Sequence, residues 1–434
     1  MRTLFLLFGF SFSCLAQVAT QPPQGSVNVK ALVDSIDRAL FRTYIFPEKS
    51  KLMGNHLKSQ LKKGAYKSIG DPKELAGRLE QDMQSVHHDG HLRVNYDPDF
   101  ARMLSQPSLP KPVGVDSMAL RSERAENFGF KKAEILNGNI GYVQFSGFSG
   151  MIQEAKATIG AALAFLSNTD AIIIDLRKNG GGSPHMVKHV YSYFVSTRTR
   201  LNDIYDRRVD KTMEFWAEPA DAESMKLSMP VYILTSKQTF SAAEDFTYAM
   251  QVNKRAVIVG DSTGGGAHPT GPVSVGQNFV VDIPFARSIN HITKTDWEGT
   301  GVIPDIPVSE EKALVKAQDL ILHARLSTAK TEIEKHRAKW LIDALKATDY
   351  DDVTIDTTLL KTYEGEYGRF KVFVKDNVLF LYDFTGRTFR LKPIEKNHFL
   401  GDDWLQVEFI SGDGQVSQMR MSGKPGWVDT MNKN

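Results

Sequence analysis

The chain has 434 residues, more than one hydrophobic core usually contains, so we expect two or three domains. Hydrophobic residues make up 41% of the sequence and charged residues 24%, a composition typical of a globular protein. The formal net charge of +2 excludes a strong basic or acidic field, so neither a nucleic acid nor an anionic membrane surface is indicated as a partner.

The N-terminus has the pattern of a cleaved export signal. Arg2 precedes the apolar stretch Leu4 to Leu15, and a small residue closes the cleavage site. We therefore predict a signal peptide at residues 1–16, a linker at residues 17–25, and a protein exported to a periplasm or out of the cell. The only cysteine, Cys14, lies in the signal, which excludes a thiol nucleophile and a disulfide in the mature chain. No later stretch approaches the roughly 20 apolar residues of a membrane-spanning helix.

Helical patterns dominate the next segment, for which we predict an N-terminal helical domain at residues 26–90. Apolar residues recur at helical spacing from Val29 to Leu40. Asp71 can cap a helix that has Pro72 at its first position, and that helix should end near the histidine-rich segment 87–91.

From about residue 139, β-rich runs alternate with helices, which predicts a mixed α/β layered core. The predicted strands include Tyr142 to Phe145, Ala171 to Leu176, Val231 to Thr235 and Ala256 to Val259. The predicted helices cover about 151–167, 184–195, 241–253, 309–326 and 328–346. We place the core at residues 91–347, with an irregular segment at 96–138. Short β-rich runs separated by turn residues then predict a small antiparallel β domain at residues 350–434.

Ser241 lies where a buried strand is followed by a short loop and a helix. Ser241 and Glu244 have the spacing of a capping box, so a purely structural helix cap is one interpretation. The other is a nucleophile, because the unpaired N–H groups and positive dipole at a helix start stabilise an oxyanion.

Three further segments carry candidate chemistry. The run from Asp175 to Gly182 passes from a strand into three glycines, which suits either a tight turn or exposed backbone N–H donors. Three histidines at 87, 88 and 91 could be surface residues or metal ligands. The HEXXH motif and a second ligand cluster are absent, so we predict no metal and regard His91 as the best-placed base. Glu298, in a glycine-rich loop, is either a solvated carboxylate or the acceptor that orients such a base.

Taken in order, the motifs DGHL, DLRKNGGG, TSKQTFSAAE, GDSTGGG and EGTGVIPD resemble the core of the tail-specific, or C-terminal processing, serine peptidase family. The resemblance covers roughly residues 85–310 and implies a crotonase-like layered core. It also implies that Ser241 is the nucleophile and that the backbone N–H groups of Gly180 or Gly181 and of Ala242 form an oxyanion hole.

One departure from the family pattern indicates which branch of the family this chain resembles. The better-known members activate their serine with a lysine from the glycine-rich loop that corresponds to residues 264–268, and no lysine is present there. The chain instead resembles the tricorn-type branch, in which a histidine before the core is the base and a downstream glutamate orients it. His91 and Glu298 match those positions. Segment 96–138 is too short for the PDZ domain that tethers substrate tails in many members.

The sequence therefore predicts an exported serine peptidase that acts on peptides or proteins through an acyl-enzyme and needs no cofactor. The alternative is a non-catalytic protein that binds an apolar ligand, because retinoid-binding proteins of the eye resemble the same core. Metal-dependent hydrolysis is a third possibility. The sequence indicates no oligomeric state and no role for the C-terminal β domain.

Overall fold

The structure, a computed structural model, describes residues 27–106, 117–219, 225–349, 355–402 and 404–434. The predicted signal peptide, the predicted linker and Cys14 lie outside the described residues. Within the described ranges, every helix is too short or too polar to span a bilayer.

The N-terminal elements are helical, as predicted. In chain order they are α1 Val29–Thr43, α2 Pro47–Lys62, α3 Pro72–Val86, β1 Arg93–Tyr96, α4 Pro98–Ser105 and α5 Ser117–Ala125. The side chain of Asp71 accepts a hydrogen bond from the N–H of Lys73, and Pro72 is the first residue of α3, so the predicted cap is confirmed.

The central part of the chain alternates between strands and helices. Its elements are β2 Phe130–Leu136, β3 Ile140–Phe145, α6 Ile152–Phe165, β4 Ala171–Asp175, α7 Pro184–Ser192, β5 Thr199–Arg200, β6 Asn202–Asp206, β7 Lys211–Met213, β8 Trp216–Ala217, β9 Val231–Thr235, α8 Ala242–Val252, β10 Ala256–Gly260, β11 Thr270–Gly276, β12 Phe279–Pro284, β13 Ala286–Asn290 and β14 Ile306–Pro307. The described part of segment 96–138 is more regular than predicted, because it contains α4, α5 and β2.

Six of these strands form the main sheet, in the order β14-β10-β9-β4-β3-β2. All neighbours are parallel except β2, which is antiparallel to β3. Successive residues of β4 face opposite sides. Ile172 and Ile174 pack in a cluster with residues of α6, α7 and α8, whereas Ile173 packs with residues of α9 Ala313–Thr328 and α10 Glu332–Asp349. The sheet is therefore covered by helices on both faces.

The N-terminal helices share a core with two strands that come much later in the chain. β1 pairs with β12 and β12 pairs with β11, both antiparallel. Phe279 and Val281 of β12 are buried in one cluster with Leu32, Leu57 and Leu79 from α1, α2 and α3. This packing fixes the turn between α3 and β1, which carries His91, relative to the loop between β10 and β11.

The C-terminal part begins with α11 Thr357–Thr362 and continues as an eight-stranded antiparallel sheet in sequence order. Its strands are β15 Gly365–Tyr367, β16 Phe370–Lys375, β17 Val378–Tyr382, β18 Thr388–Glu395, β19 His398–Asp402, β20 Leu405–Gly412, β21 Gln415–Gly423 and β22 Val428–Asn432. Tyr367 of β15 pairs with Lys433, which joins the first strand to the end of the last. The sheet is therefore barrel-like. Ile394 and Leu400 pack against the α9–α10 side of the core.

The predicted mixed α/β class and the C-terminal antiparallel β domain are confirmed. The predicted helix at 241–253 begins one residue later, at Ala242, because Ser241 has the non-helical torsion angles φ +55° and ψ −119°. The crotonase-like assignment and the domain boundaries stay predictions.

Candidate active site

Three loops meet at the carboxyl edge of the main sheet. They follow the adjacent parallel strands β4, β9 and β10, and this edge is where open α/β sheets usually bind ligands. The loop after β4 carries the glycines 180–182, the loop after β9 carries Ser241, and the loop after β10 carries the glycines 264–266. The sheet order thus brings together three motifs that are far apart in the sequence.

Ser241 has a strained backbone at the start of α8. Its φ of +55° is uncommon for a residue with a side chain, and its position in a sharp strand-to-helix turn is similar to that of a nucleophile elbow. Glu244 accepts a hydrogen bond from the N–H of Ser241 at 2.8 Å, so the capping-box interaction predicted from the sequence is present on the glutamate side. A helix cap and a presented hydroxyl group are compatible at this position.

Gly181 packs directly against this turn. A Cβ added to Gly181 would lie 2.8 Å from the Cβ of Ser241 and 2.9 Å from the N of Ala242, so only glycine fits here. The N–H of Ala242, at the first helical position, has no acceptor among the described residues. A free backbone donor therefore lies beside Ser241.

The predicted glycine donors are held by other acceptors. The N–H of Gly181 donates to Oδ1 of Asn179 at 2.9 Å, and the N–H of Gly180 donates to the carbonyl oxygen of Ser146 at 3.3 Å. Of the two, the bond from Gly180 is the longer and the more easily exchanged for a substrate oxygen.

The sequence motifs assign no role to Asn179, although this residue holds two of the three loops together. It is fully buried, and its Nδ2 donates to the carbonyl oxygen of Phe145 at 3.0 Å. The backbone carbonyl oxygen of Asn179 accepts a hydrogen bond from the N–H of Phe240, next to Ser241, at 3.0 Å. Its place between a buried strand and three glycines was the only signal in the sequence.

Glu244 links α8 to the loop after β10. This buried carboxylate accepts hydrogen bonds from the N–H groups of Gly265 and Gly266 at 2.7 and 2.8 Å and from the hydroxyl of Thr263 at 2.5 Å. Burial raises the pKa of Glu244, and these hydrogen bonds oppose the shift. The residue that the sequence indicated as part of a helix cap therefore also fixes the glycine-rich loop beside Ser241.

His91 lies next to this loop and packs against Phe240. The centroids of the imidazole and phenyl rings are 4.6 Å apart, and a Cβ on Gly266 would lie 2.7 Å from Cε1 of His91. The buried Nδ1 of His91 has no hydrogen-bond partner, and no hydrogen bond joins His91 to Ser241 among the described residues. Burial lowers the pKa of His91 to about 4, so the imidazole is neutral at pH 7.

Glu298 bridges the turn that carries His91 and the loop after β10. Its two carboxylate oxygens accept hydrogen bonds from the N–H of Gly90 at 3.2 Å and from the N–H of Ala267 at 2.6 Å. Burial raises the pKa of Glu298 to about 7. The structure therefore brings Glu298 into the neighbourhood of His91 without a direct hydrogen bond between them.

Asp89, His91 and Glu298 each offer a ligand atom within 4.8 Å of the others. The oxygens of Asp89 already accept hydrogen bonds from the N–H of His91 and from the hydroxyl of Tyr44, and those of Glu298 accept two backbone N–H groups. These hydrogen bonds give the carboxylates of Asp89 and Glu298 a role in holding the turn that carries His91, and the absence of a metal stays a prediction.

Beside the glycines lies a cleft of about 540 Å³. It is lined by residues of three segments: Ser122, Glu123, Glu126, Phe128 and Gly129; Ser146 to Gly150; and Gly181 to Ser183. The cleft reaches Gly181, whose backbone contacts Ser241, so it offers an extended ligand a place next to the serine.

Two family models match the chain. One describes peptidase family S41 and matches residues 139–308, and the other describes the N-terminal domain of S41 peptidases in eukaryotic IRBP and matches residues 22–127. Together they cover more than half of the sequence. The matched ranges contain the serine, the two loops of glycines, His91 and Glu298.

Curated relatives and solved structures are similar to parts of the chain. The chloroplastic carboxyl-terminal-processing peptidase 2 of Arabidopsis thaliana is 29% identical over 39% of this chain and 32% of its own length. The carboxy-terminal processing protease CtpB of Bacillus subtilis is 24% identical over 45% of this chain and 42% of its own length. The chain thus spans about a third to two-fifths of these relatives. A solved structure from Parabacteroides merdae, described as a candidate peptidase, has a TM-score of 0.50 at 19% identity and covers 70% of this chain and 100% of its own, which supports the fold alone.

Proposed function

We propose that the chain is an exported serine peptidase of family S41 that hydrolyses peptide bonds of polypeptides through an acyl-enzyme, which the two family matches support. The observation that carries the proposal is the strained Ser241 at the start of α8, packed against Gly181 and beside the free N–H of Ala242. Export is supported by the N-terminal sequence, in which Arg2 precedes an apolar stretch.

In the proposed mechanism, the Oγ of Ser241 attacks the carbonyl carbon of the substrate while His91 removes the hydroxyl proton. The N–H groups of Ala242 and Gly180 donate to the oxyanion. His91 then protonates the leaving amine, and water hydrolyses the acyl-enzyme with the same histidine as base. Glu298 remains ionised and stabilises the imidazolium that forms.

The mechanism requires His91 to approach Ser241 when substrate binds. No hydrogen bond to Nδ1 opposes rotation of the imidazole, which rests against the ring of Phe240. Catalytic hydrogen bonds in proteins without a ligand are often long and shorten only in the substrate complex. The free Nδ1 and the neutral imidazole suit a base that accepts a proton during the reaction.

The test is the loss of the hydroxyl group at Ser241. We expect Ser241→Ala to lower kcat by roughly four to six orders of magnitude while the protein stays folded. A fluorophosphonate probe should label the wild-type protein and Ser35→Ala, a control on α1, but not Ser241→Ala. Peptide cleavage by Ser241→Ala at the wild-type rate would refute the assignment. Profiling with a peptide library then defines the cleavage preference.

The match of residues 22–127 to a domain described for eukaryotic IRBP favours a second candidate, a non-catalytic protein that binds an apolar ligand. The presence of Ser241, His91 and Glu298 around one sheet edge supports hydrolysis instead. Absence of fluorophosphonate labelling, together with tight binding of an apolar fluorescent ligand such as a retinoid, would establish the second candidate.

A further inference from the structure

A buried hydrogen-bond network lies behind His91. The carboxylate of Asp89 is fully buried, and its Oδ2 accepts a hydrogen bond from the hydroxyl of Tyr44 at 2.9 Å. The same oxygen is 2.9 Å from Nδ1 of His268, a side chain that is only 2% exposed. The other oxygen of Asp89 accepts the N–H of His91 at 3.1 Å. The network therefore begins at the backbone of the proposed base and ends at His268.

His268 also reaches Glu298. The Nδ1 of His268 is 3.4 Å from Oε2 of Glu298, so one imidazole N–H faces two carboxylates. Asp89 comes from the turn after α3, and Glu298 comes from the loop between β13 and β14. His268 follows the glycine-rich loop after β10. One side chain thus joins three separate segments of chain behind the candidate active site.

The charges around this imidazole are mainly negative. A ligand oxygen of Asp89 and one of Glu298 lie within 4.8 Å of each other, and two carboxylates so close repel unless a cation lies between them. Burial opposes a charge on His268, but Asp89 and Glu298 outweigh it and raise the pKa of His268. In turn, burial raises the pKa of Asp89, but the hydrogen bond and charge of His268 outweigh it and hold that pKa below its usual value. The titratable side chains around His268 are Tyr44, His87, Asp89, His91, Asp296 and Glu298.

We propose that His268 is a positioning residue whose imidazolium bridges Asp89 and Glu298 and so keeps Glu298 ionised beside His91. The inference rests on the proposed function, because Glu298 is the group that stabilises protonated His91 in that mechanism. His268 touches neither substrate nor the reacting atoms. It acts through the two carboxylates and through the turn of residues 89–91 that they hold.

Two features separate this role from simple packing. The amide side chain of Gln84 already clamps the turn, because it donates to the carbonyl oxygens of Asp89 and Leu92 and accepts the N–H of Asp89, each at 2.9 Å. The turn therefore has a neutral anchor on α3 that does not need His268. Among the residues that the structure describes, His268 supplies what this anchor lacks, a positive charge between two carboxylates.

The first experiment measures that charge without relying on activity. Histidine labelled with ¹³C at Cε1 is incorporated into the full chain, and the imidazole signals are followed by NMR from pH 5 to pH 9. The signal lost in His268→Asn identifies this residue. We expect its imidazolium form to persist to a higher pH than that of a free histidine, and a His268 that loses its proton at or below the pH of a free histidine would overturn the proposal.

The second experiment removes the charge and keeps a donor. In His268→Asn the amide can still donate to Asp89, but the two carboxylates lack a counter-ion, so Glu298 should take up a proton. We expect the acid limb of kcat/KM to move up by about one to two pH units, with kcat reduced more than KM changes. His56→Asn on α2 is the matched control and should leave the profile unchanged.

The double variant Asp89→Asn/His268→Asn removes one negative and one positive charge. It should return the acid limb to within about half a pH unit of the wild type, because the repulsion on Glu298 is gone. Two results would overturn the proposal and leave His268 a structural role only. One is a fall in the thermal stability of His268→Asn with an unshifted pH profile. The other is a double variant whose acid limb lies no closer to that of the wild type than the acid limb of His268→Asn does. If the wild-type protein cleaves no peptide, the proposed function fails and the positioning role fails with it, while the NMR titration still decides the charge of His268.

Discussion

The close contact between Gly181 and Ser241 makes Gly181→Ala the sharpest test of the oxyanion site. The new Cβ would lie 2.7 Å from the carbonyl oxygen of Phe240, 2.8 Å from the Cβ of Ser241 and 2.9 Å from the N of Ala242. Separations below 3.0 Å require movement, and most of these atoms belong to the backbone, which cannot rotate away. The φ of Gly181 is +99°, which adds strain of about 1–3 kcal/mol for alanine.

Residue 181 and the segment from Phe240 to Ala242 must therefore move apart by several tenths of an ångström. One misplaced oxyanion donor costs about 3 kcal/mol of transition-state stabilisation, so we expect kcat to fall roughly 10²- to 10³-fold with little change in KM. The nucleophile and base remain, so the loss should be smaller than that of Ser241→Ala.

The assay is steady-state hydrolysis of the best substrate from the peptide library, with circular dichroism and thermal unfolding to confirm the fold. Gly70→Ala is the control, because a Cβ at Gly70 meets no atom within 4 Å and its φ is not positive. A folded Gly181→Ala with wild-type kcat would show that the contact between the glycine turn and the start of α8 does not shape the site.

Four further predictions concern the site's carboxylates, base and metal independence. Activity should fall as the pH drops through about 7, where Glu298 takes up a proton. In profiles of kcat/KM from pH 5 to 9, Glu298→Gln should no longer show this decline on the acid side. The unfolded chain protonates His91 near pH 6.5, whereas the folded chain does so only near pH 4. As the pH is lowered from about 6.5 to about 4, the free energy of unfolding should therefore decrease by at most about 3 kcal/mol, because only the unfolded chain takes up the proton. In urea denaturation, His91→Asn should lack this part of the pH dependence. Glu244→Gln should cost about 2–4 kcal/mol in the same assay and most of the activity, because a buried acceptor of backbone N–H groups is lost. Incubation with EDTA followed by desalting should leave peptide hydrolysis unchanged, and a loss restored by zinc would contradict the prediction that the reaction needs no metal.

Local patterns predicted most of the fold correctly. The Asp71 cap and Pro72 marked the start of α3, and apolar runs marked β4, β9 and β10, because these signals depend on residues adjacent in the chain. The turn residues that predict the C-terminal β domain include Asp376 and Asn377, which form the hairpin between β16 and β17 and both have positive φ. The sequence patterns do not indicate β2, because Lys131, Lys132 and Glu134 interrupt its apolar residues and even Ile135 is exposed.

The candidate site was only partly predictable, for a physical reason. Ser241, His91 and Glu298 could be proposed from motifs, but the partners that hold them come from segments distant in the chain. Asn179 and Glu244 act through hydrogen bonds that close only when β4, β9 and β10 align. His268 carries no local pattern of its own, since its function depends on two carboxylates placed near it by tertiary packing.

The glycine-rich loop explains how this chain accommodates a histidine without the lysine that the family resemblance leads one to expect. A Cβ on Gly266 would lie 2.3 Å from Cζ of Phe240 and 2.7 Å from Cε1 of His91, so the two rings occupy the space into which a loop side chain would project. A side chain at position 266 and the rings of Phe240 and His91 as they now lie therefore exclude each other. Because Glu244 fixes the N–H of Gly266 at 2.8 Å, the loop cannot retreat to admit both. The absence of a side chain at position 266 and the placement of His91 thus belong to one packing arrangement beside Ser241.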